Sequence, residues 1–443
     1  MRRILGDPAN VYPPTLSSVD DIGIQIICEE EHMTKAIVVG AGMTGLSTAW
    51  YLQEHGYDVE IVDKIGVAAG ASWGNAGWLA PGKTIPLSNS SLWGYGPTAL
   101  FDKDAALSVP TRIDPKLWAF VAQFMARANQ RSWDKTMAAL TPIDKAALGA
   151  YDELIDGGVD AVTHEGPFIV GFENDNQAKG FLDEVEGAIR HGQEIPFENL
   201  SHAQALDYAP MLSERVQTVY KLGGQRYIEP QYFCEAIAES FVARGGTITT
   251  GAEVTDVQST RKPAIQLATG EWKPADVVVI ATGAWLPKLA KSLGVRTMVQ
   301  AGRGYSFTVK PEQEAKHSVY LPETRVACTP APTRGRFQIA GTMEFRGPDE
   351  AFQPGRIESM IKVTAPMFKG IDWDDIQDEW VGSRPVTPDG LPLIGQTQVP
   401  NVYTCGGHGM WGVVLGPISG KLLAKQIATG VIDPILDPFD PLR

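Results

Sequence analysis

The sequence is poor in cysteine and in positive charge, and it contains no long apolar run. Its 443 residues include four cysteines (Cys28, Cys234, Cys328 and Cys405), which lack the paired spacing of a zinc site and the density of a disulfide framework. We therefore expect no metal site and buried, reduced thiols, which suit the cytoplasm. The 38 basic residues against 52 acidic ones leave a net charge of −14, which argues against a nucleic-acid partner. No run of about 18 apolar residues occurs, so we expect no membrane-spanning helix. A peripheral contact with the inner face of the membrane stays open.

The first 33 residues differ from the chain that follows them. They contain two arginines near the start but no apolar segment long enough for a signal peptide. Met33 would be a natural start for a protein whose first element is the strand that follows. We expect residues 1–33 to be a poorly ordered N-terminal extension.

Residues 35–64 carry the strongest motif of the chain. Gly40, Gly42 and Gly45 stand at the spacing G-x-G-x-x-G between an apolar strand pattern and a helical one, and Asp63 closes a second strand 18 residues after Gly45. In this pattern the glycines allow a tight turn, close approach to a pyrophosphate and close packing of the helix. The acid binds ribose hydroxyls and repels a 2′-phosphate, which argues against NADP. The combination predicts a dinucleotide site, with a chance glycine-rich turn as the alternative.

The apolar patterns predict further elements along the chain. Residues 68–77 are rich in glycine and alanine, so their backbone can approach a flat ligand, with a flexible connection as the alternative. Helices are predicted near 115–130, 142–155 and 175–191, and strands within 161–172.

Three later segments bear on the same ligand. The buried strand at 277–280 ends in a small-residue turn that allows a second close approach, and Val254 lies on a strand from which it can contact an adenine. Residues 295–375 alternate strand-like runs whose half-polar pattern suits an antiparallel sheet over a pocket. A helix predicted over 413–427 starts behind a glycine-rich turn, and its positive end could stabilise negative charge on a cofactor ring.

These motifs together resemble the D-amino acid dehydrogenases and glycine/D-amino acid oxidases, the DAO family of FAD flavoproteins. The resemblance rests on GAGMTGLSTAWYL, SWGNAGWLAPG, ATGAW and SRPVTPDGLPLIG…GGHGMWG, and it runs from about residue 34 to 430. It implies an α/β fold: a discontinuous Rossmann-like FAD-binding domain of the glutathione-reductase type, and an α+β substrate domain built on an antiparallel sheet. The implied FAD-binding domain comprises 34–95, 223–294 and 376–435, and the implied substrate domain comprises 96–222 and 295–375.

The resemblance also implies which residues bind FAD. They are Gly40, Ala41, Gly42, Met43, Thr44, Gly45, Asp63, Lys64, Ala71, Ser72, Asn75, Ala76, Gly77, Val254, Ala281, Thr282, Gly283, Gly407, His408, Gly409 and Gly412.

Three residues are predicted to act at the substrate. Arg384 is the candidate cation for the substrate carboxylate, since a planar guanidinium suits bidentate binding, and a structural ion pair with Asp389 is the alternative. Tyr305 is a second pocket candidate. His408 would lie beside the flavin or satisfy backbone groups in its glycine-rich turn. The sequence departs from better-known members of the family in three tryptophans near the flavin-facing segments, which leaves substrate size and shape open: Trp73, Trp78 and Trp411.

The activity implied is oxidative deamination of a D-amino acid to the 2-oxo acid and ammonia, by hydride transfer to the flavin. The electrons would pass to a quinone or another carrier. Two alternatives remain open: an oxidase or dehydrogenase of glycine or of a secondary amine such as sarcosine or a D-proline derivative, and a non-catalytic flavin-binding protein. A nicotinamide-dependent enzyme is disfavoured, because further cofactor-facing segments occur at 281 and 406.

Overall fold

A computed structural model describes residues 33–89, 107–259 and 261–443. The extension predicted over 1–33 lies outside this part except for Met33. The strands are β1 Lys35–Val39, β2 Asp58–Val62, β3 Trp78–Leu79, β4 Leu107–Ser108, β5 His164–Glu165, β6 Phe168–Phe172, β7 Phe197–Leu200, β8 Thr218–Leu222, β9 Arg226–Tyr227, β10 Thr247–Thr249, β11 Val254–Ser259, β12 Pro263–Leu267, β13 Trp272–Pro274, β14 Val277–Ile280, β15 Gln300–Pro311, β16 Val319–Leu321, β17 Val326–Ala331, β18 Arg336–Phe345, β19 Ile371–Val386, β20 Leu393–Gln396 and β21 Val402–Gly406. The helices are α1 Met43–Glu54, α2 Pro115–Ala126, α3 Gln130–Asp156, α4 Asp175–Arg190, α5 His202–Tyr208, α6 Pro230–Ala243, α7 Leu286–Ala290, α8 Pro354–Thr364 and α9 Gly412–Thr429.

A mostly parallel sheet holds the predicted nucleotide motif. Its strand order is β10-β2-β1-β14-β21-β20, and β20 runs antiparallel to β21. Alternate residues of β1 serve two separate cores, because successive side chains of a strand point to opposite faces. Ala36 and Val38 pack with α1, α6 and α9, whereas Ile37 and Val39 pack with β12, β14 and α7. The sheet is therefore covered on both faces, as a parallel sheet requires.

A larger sheet carries the second half of the fold. Its strand order is β19-β15-β18-β17-β16-β6-β8-β7, with β4 beside β18. The pairs formed by β15, β17, β18 and β19 are antiparallel, which confirms the sheet predicted over 295–375. One face of it packs a core around Phe307, Phe337 and Ile339.

The helices predicted near 115–130 and 175–191 are present as α2 and α4. The helix predicted near 142–155 begins much earlier, at Gln130. Pro142 lies inside α3, and the helix continues through it. The Tyr151 hydroxyl donates to the carbonyl oxygen of Val413 at 2.7 Å, so α3 packs on α9 beside the parallel sheet.

The strands predicted within 161–172 are β5 and β6. The division into two discontinuous domains stays a prediction, and β19 crosses its boundary at residue 376. Cys234, Cys328 and Cys405 are buried free thiols, and Cys28 lies outside the described residues. Among the described helices, none has both the length and the apolar character needed to cross a membrane.

Candidate active site

A cleft opens at the carboxyl ends of β1, β2, β14 and β21. Its empty volume, including space open to solvent, is about 1220 Å³. It brings together residues from six separate segments of the chain, and the sequence predicted residues in each of them. The predicted residues that line it are Gly40, Gly42, Met43, Thr44, Asp63, Lys64, Ala71, Ser72, Asn75, Val254, Ala281, Thr282, Gly283, Arg384, His408, Gly409 and Gly412.

The glycines after β1 bring three backbone segments together. Gly40 has a positive φ of 115°, and a Cβ there would lie 2.5 Å from the carbonyl oxygen of Ala281. A Cβ on Gly45 would lie 1.9 Å from the carbonyl oxygen of Gly40. No side chain other than hydrogen fits at either position, so α1 and the turn after β14 meet at the floor of the cleft.

Asp63 is held at the end of β2 by backbone donors. Its carboxylate accepts hydrogen bonds from the backbone N–H groups of Ala41 at 2.8 Å, Ile65 at 2.8 Å and Gly66 at 2.9 Å. Ile65 and Gly66 both donate to Oδ1, whereas Oδ2 accepts from Ala41 alone and has a further lone pair for an incoming hydroxyl. Ala41 thus supports the acid without lining the cleft.

The loop 68–77 is packed against the antiparallel sheet. The Gln338 side-chain amide, on β18, donates to the carbonyl oxygens of Gly74 at 2.9 Å and Asn75 at 3.1 Å. A Cβ on Gly74 would lie 2.4 Å from the Trp380 ring. These contacts fix the loop, which argues against a flexible connection. The loop has two further anchors, since Gly77 N donates to the Asn75 side chain at 2.9 Å and Ser72 Oγ accepts from Met43 N at 3.1 Å.

The lining fits a dinucleotide flavin. Gly42 is the N-cap residue of helix α1, and Trp411 is the N-cap residue of helix α9. Neither N-cap residue forms a side-chain capping hydrogen bond, and neither first turn contains an acidic residue. Both starts face the cleft, and such N–H groups and the partial positive charge favour phosphate or an anionic ring. The Thr282 hydroxyl is buried in the cleft with no hydrogen-bond partner among the described residues.

His408 lies in the cleft as a neutral side chain. It is 2% exposed, and its Nε2 lies 3.0 Å from the Ser419 hydroxyl, on α9. Burial lowers the pKa of His408 to about 4, so the imidazole is uncharged at neutral pH. Gly407 precedes it in a turn with φ of 74° and does not line the cleft.

Arg384 lies on β19 where the cleft meets a second cavity, and it lines both. One guanidinium nitrogen donates to the carbonyl oxygen of Thr342 at 2.6 Å, and within the described ranges no carboxylate pairs with it. Burial lowers the pKa of Arg384 to about 10, so the group stays charged at neutral pH. The alternative ion pair is absent, because Asp389 binds the guanidinium of Arg443 at 3.1 and 3.2 Å.

Space for Arg384 comes from Gly304 on the neighbouring strand. A Cβ on Gly304 would lie 2.1 Å from the central guanidinium carbon, so only glycine allows the group to lie against β15. Tyr305, next along β15, is fully buried in the core on the other side. Its hydroxyl donates to Glu344 at 3.3 Å, and it lines neither cavity.

The second cavity has an empty volume of about 2040 Å³, including space open to solvent. Its walls are mainly aromatic and aliphatic, and Ala76, predicted at the flavin, lies here. Trp78 and Trp411 line it, whereas Trp73 lines neither cavity. The large side chains that form its walls are Trp78, Ile85, Leu87, Leu107, Phe124, Phe181, Tyr320, Met343, Met410 and Trp411.

Sequence reasoning missed several residues of both cavities. Trp285 and Lys288 line the first cleft, and Asp349 reaches them from the loop after β18. Lys83 and Glu184 line the second cavity. Trp285 directly follows the ATGA turn, which is the one sequence signal that could have pointed to it. The other residues meet through contacts between distant segments.

The family model for DAO-type FAD dependent oxidoreductases matches residues 35–426 of the chain. A D-amino acid dehydrogenase from Vibrio vulnificus (strain YJ016) is 29% identical over an alignment of 409 residues that covers 89% of this chain and 96% of the relative. A D-amino acid dehydrogenase from Xanthobacter autotrophicus is 27% identical over 414 residues, 89% of this chain and 95% of the relative.

Solved structures with low sequence identity share the fold. Glycine oxidase from Geobacillus kaustophilus superposes with a TM-score of 0.70 at 20% identity, covering 93% of this chain and 99% of that one. L-proline dehydrogenase from P. horikoshii gives a TM-score of 0.67 at 16% identity, covering 93% of this chain and 97% of that one. At these identities the likeness establishes the architecture alone.

Proposed function

The chain belongs to the DAO family of FAD-dependent oxidoreductases, and on that premise we propose that it oxidises a D-amino acid to the 2-oxo acid and ammonia. FAD bound in the cleft would accept the hydride from the α-carbon. The relatives named D-amino acid dehydrogenase, which match most of the chain, support the substrate class.

The observation that carries the proposal is the position of Arg384. A charged guanidinium without a carboxylate partner is costly to bury, so a ligand that supplies a carboxylate is the expected complement. Arg384 lines both cavities, which suits a substrate whose α-carbon lies beside the cleft and whose side chain extends into the second cavity. The Thr342 carbonyl fixes the guanidinium by a hydrogen bond of 2.6 Å.

The other side chains of the site position and enclose the reactants. His408 does not act as the base, because its pKa is about 4 and Ser419 occupies its Nε2. It lies in the turn before α9, whose first N–H groups line the cleft and would face the flavin ring. The substrate amine would bind in its neutral form, and positioning over the ring would supply much of the rate.

We propose a quinone or another carrier as the electron acceptor, in place of oxygen. This part follows from the names of the relatives and is an argument by analogy.

The test is a product and acceptor assay on the FAD-loaded protein. With a panel of D-amino acids and an artificial dye acceptor, one dye reduced by two electrons should accompany one 2-oxo acid and one ammonia. The matching L-amino acids should be inactive. Turnover of sarcosine or D-proline alone would favour the secondary-amine alternative, and peroxide formed in equal amount to the product would overturn the choice of acceptor.

A further inference from the structure

The wall of the second cavity contains an ion pair that has no part in the proposed chemistry. Lys83 Nζ lies 3.4 Å from Glu184 Oε2, with the lysine side chain 8% exposed and the glutamate side chain 30% exposed. Both residues line the second cavity, and Arg384 lines the same cavity. A buried lysine beside an apolar wall is unusual enough to require a reason.

Lys83 is held in place by its backbone and by aromatic rings. It lies on the short helix Pro81–Lys83, which follows β3 after one residue. The chain therefore runs without interruption from the loop 68–77 through β3 to Lys83. A Cβ on Gly82 would lie 2.8 Å from Ile195, and this close packing leaves the turn little freedom. The ammonium nitrogen lies 4.6 Å from the centre of the Phe181 ring.

The ammonium group has more donors than acceptors. It carries three N–H bonds, and Glu184 is the one hydrogen-bond acceptor that it reaches among the described residues, at 3.4 Å. The ring of Phe181 offers a weaker, electrostatic partner. A further acceptor in the cavity would therefore strengthen the site.

Glu184 has more hydrogen-bond acceptor sites than donors to fill them. Its Oε1 accepts a hydrogen bond from the Asn89 side-chain amide at 3.1 Å, and its Oε2 is the atom near Lys83. Its two oxygens can accept about four hydrogen bonds in total. The pair thus presents a donor and an acceptor side by side to whatever occupies the cavity.

We propose that Lys83 and Glu184 bind a neutral carboxamide at the end of the substrate's side chain, the chemistry of D-asparagine and D-glutamine. The amide oxygen accepts from Lys83 Nζ and the amide N–H donates to Glu184. A side-chain carboxylate binds Lys83 but is repelled by Glu184, and an ammonium group binds Glu184 but is repelled by Lys83. An apolar end leaves both partners unsatisfied. The aromatic wall around the pair covers the methylene groups. This inference rests on the proposed function of the site.

The test compares substrates of matched shape by anaerobic flavin reduction in the FAD-loaded protein. One set is D-asparagine, D-aspartate and D-leucine, and the longer set is D-glutamine, D-glutamate and D-methionine. In at least one set the carboxamide should be reduced with a kcat/KM about 10- to 100-fold above both of its partners.

Two variants separate recognition from structural support. In Lys83→Met the advantage of the carboxamide over the apolar partner should fall to near one. In Glu184→Gln the ratio of carboxylate to carboxamide should rise about 10-fold, because the repelling charge is gone. Lys116→Met, an exposed lysine on α2, serves as the control and should leave both ratios unchanged.

The outcomes distinguish failure of the carboxamide preference from failure of the proposed function. Flavin reduction by D-amino acids without a carboxamide preference, or a preference that survives in both variants, overturns this inference alone. If no D-amino acid reduces the flavin, the proposed function and this inference both fail. Should Lys83→Met not retain FAD, the ratio in Glu184→Gln decides.

Discussion

Replacing Arg384 by methionine should weaken catalysis and strengthen the fold. Among the described residues the guanidinium forms one hydrogen bond, to Thr342 at 2.6 Å, and Arg384 lines both cavities. Loss of a bidentate, charge-assisted contact to the substrate carboxylate should cost about 3–6 kcal/mol, since each of its two bonds contributes about 1.5–3 kcal/mol. Because 1.36 kcal/mol corresponds to a factor of ten, kcat/KM should fall by about 10²–10⁴.

The stability of the same variant should change in the opposite direction. Burial lowers the pKa of Arg384 from 12.5 to about 10, and one pKa unit corresponds to about 1.4 kcal/mol, so the charge costs the fold about 3 kcal/mol at neutral pH. The bond to Thr342 also involves the charged group, so its loss offsets about 1.5–3 kcal/mol of this. The free energy of unfolding of Arg384→Met should therefore rise by about 0.5–2 kcal/mol.

The assay is steady-state turnover with a dye acceptor, which gives kcat and KM, combined with denaturant unfolding of the same preparations. Arg384→Lys keeps the charge but not the bidentate geometry and should lose about tenfold in kcat/KM. Arg336→Met is the matched control on the same sheet: Arg336 binds Asp375 at 2.9 Å, so its loss should lower stability and leave KM unchanged. An Arg384→Met variant with unaltered KM, or with reduced stability, would refute the assignment of Arg384 to the substrate.

Three further predictions concern the fold and the cofactor cleft. Burial raises the pKa of Asp144 well above its usual range, so its contribution to stability is lost as pH rises above about 4. Asp144→Asn keeps the hydrogen bond from Gln193 but cannot ionise. In unfolding titrations, the free energy of unfolding of this variant should therefore fall less steeply with pH, by up to about 1.4 kcal/mol per pH unit, and the variant should be more stable than the unaltered protein at pH 8. Asp349 accepts from Trp285 at 2.8 Å and pairs with two lysines over the cleft, so Asp349→Asn should weaken FAD binding about threefold in fluorescence titrations, and less in 1 M salt. Gly45→Ala places a Cβ 1.9 Å from a carbonyl oxygen, and the purified protein should lose its flavin absorbance if it folds at all.

The nucleotide half of the site could be predicted because its parts are close in sequence. The glycines, α1 and Asp63 follow one another within a single strand-helix-strand unit, so local spacing fixes their arrangement. The turn at 281–283 was predicted for the same reason, as a small-residue turn directly after a buried strand.

The part of the site around Arg384 and the second cavity, where we propose that the substrate binds, depends on contacts that no local pattern encodes. Gly304 makes room for Arg384 across two strands, and the neighbouring residue of a strand points to the opposite face, which is why Tyr305 lies in the core and not in the pocket. Lys83 and Glu184 are separated by 101 residues, and their pairing follows from the packing of α4 on the turn after β3. The sequence pattern did not predict the early start of α3. Proline is usual in the first turn of a helix and rare in its interior, but here Pro142 lies well inside α3.

The most direct measurement is anaerobic mixing of the FAD-loaded protein with the two enantiomers of one amino acid, such as methionine, while the flavin absorbance is followed. The D-enantiomer should bleach the flavin, and the L-enantiomer should leave it oxidised. Bleaching by the L-enantiomer alone would contradict the proposed substrate class. An oxidised flavin with every D-amino acid tested would contradict the assignment of the two cavities to cofactor and substrate.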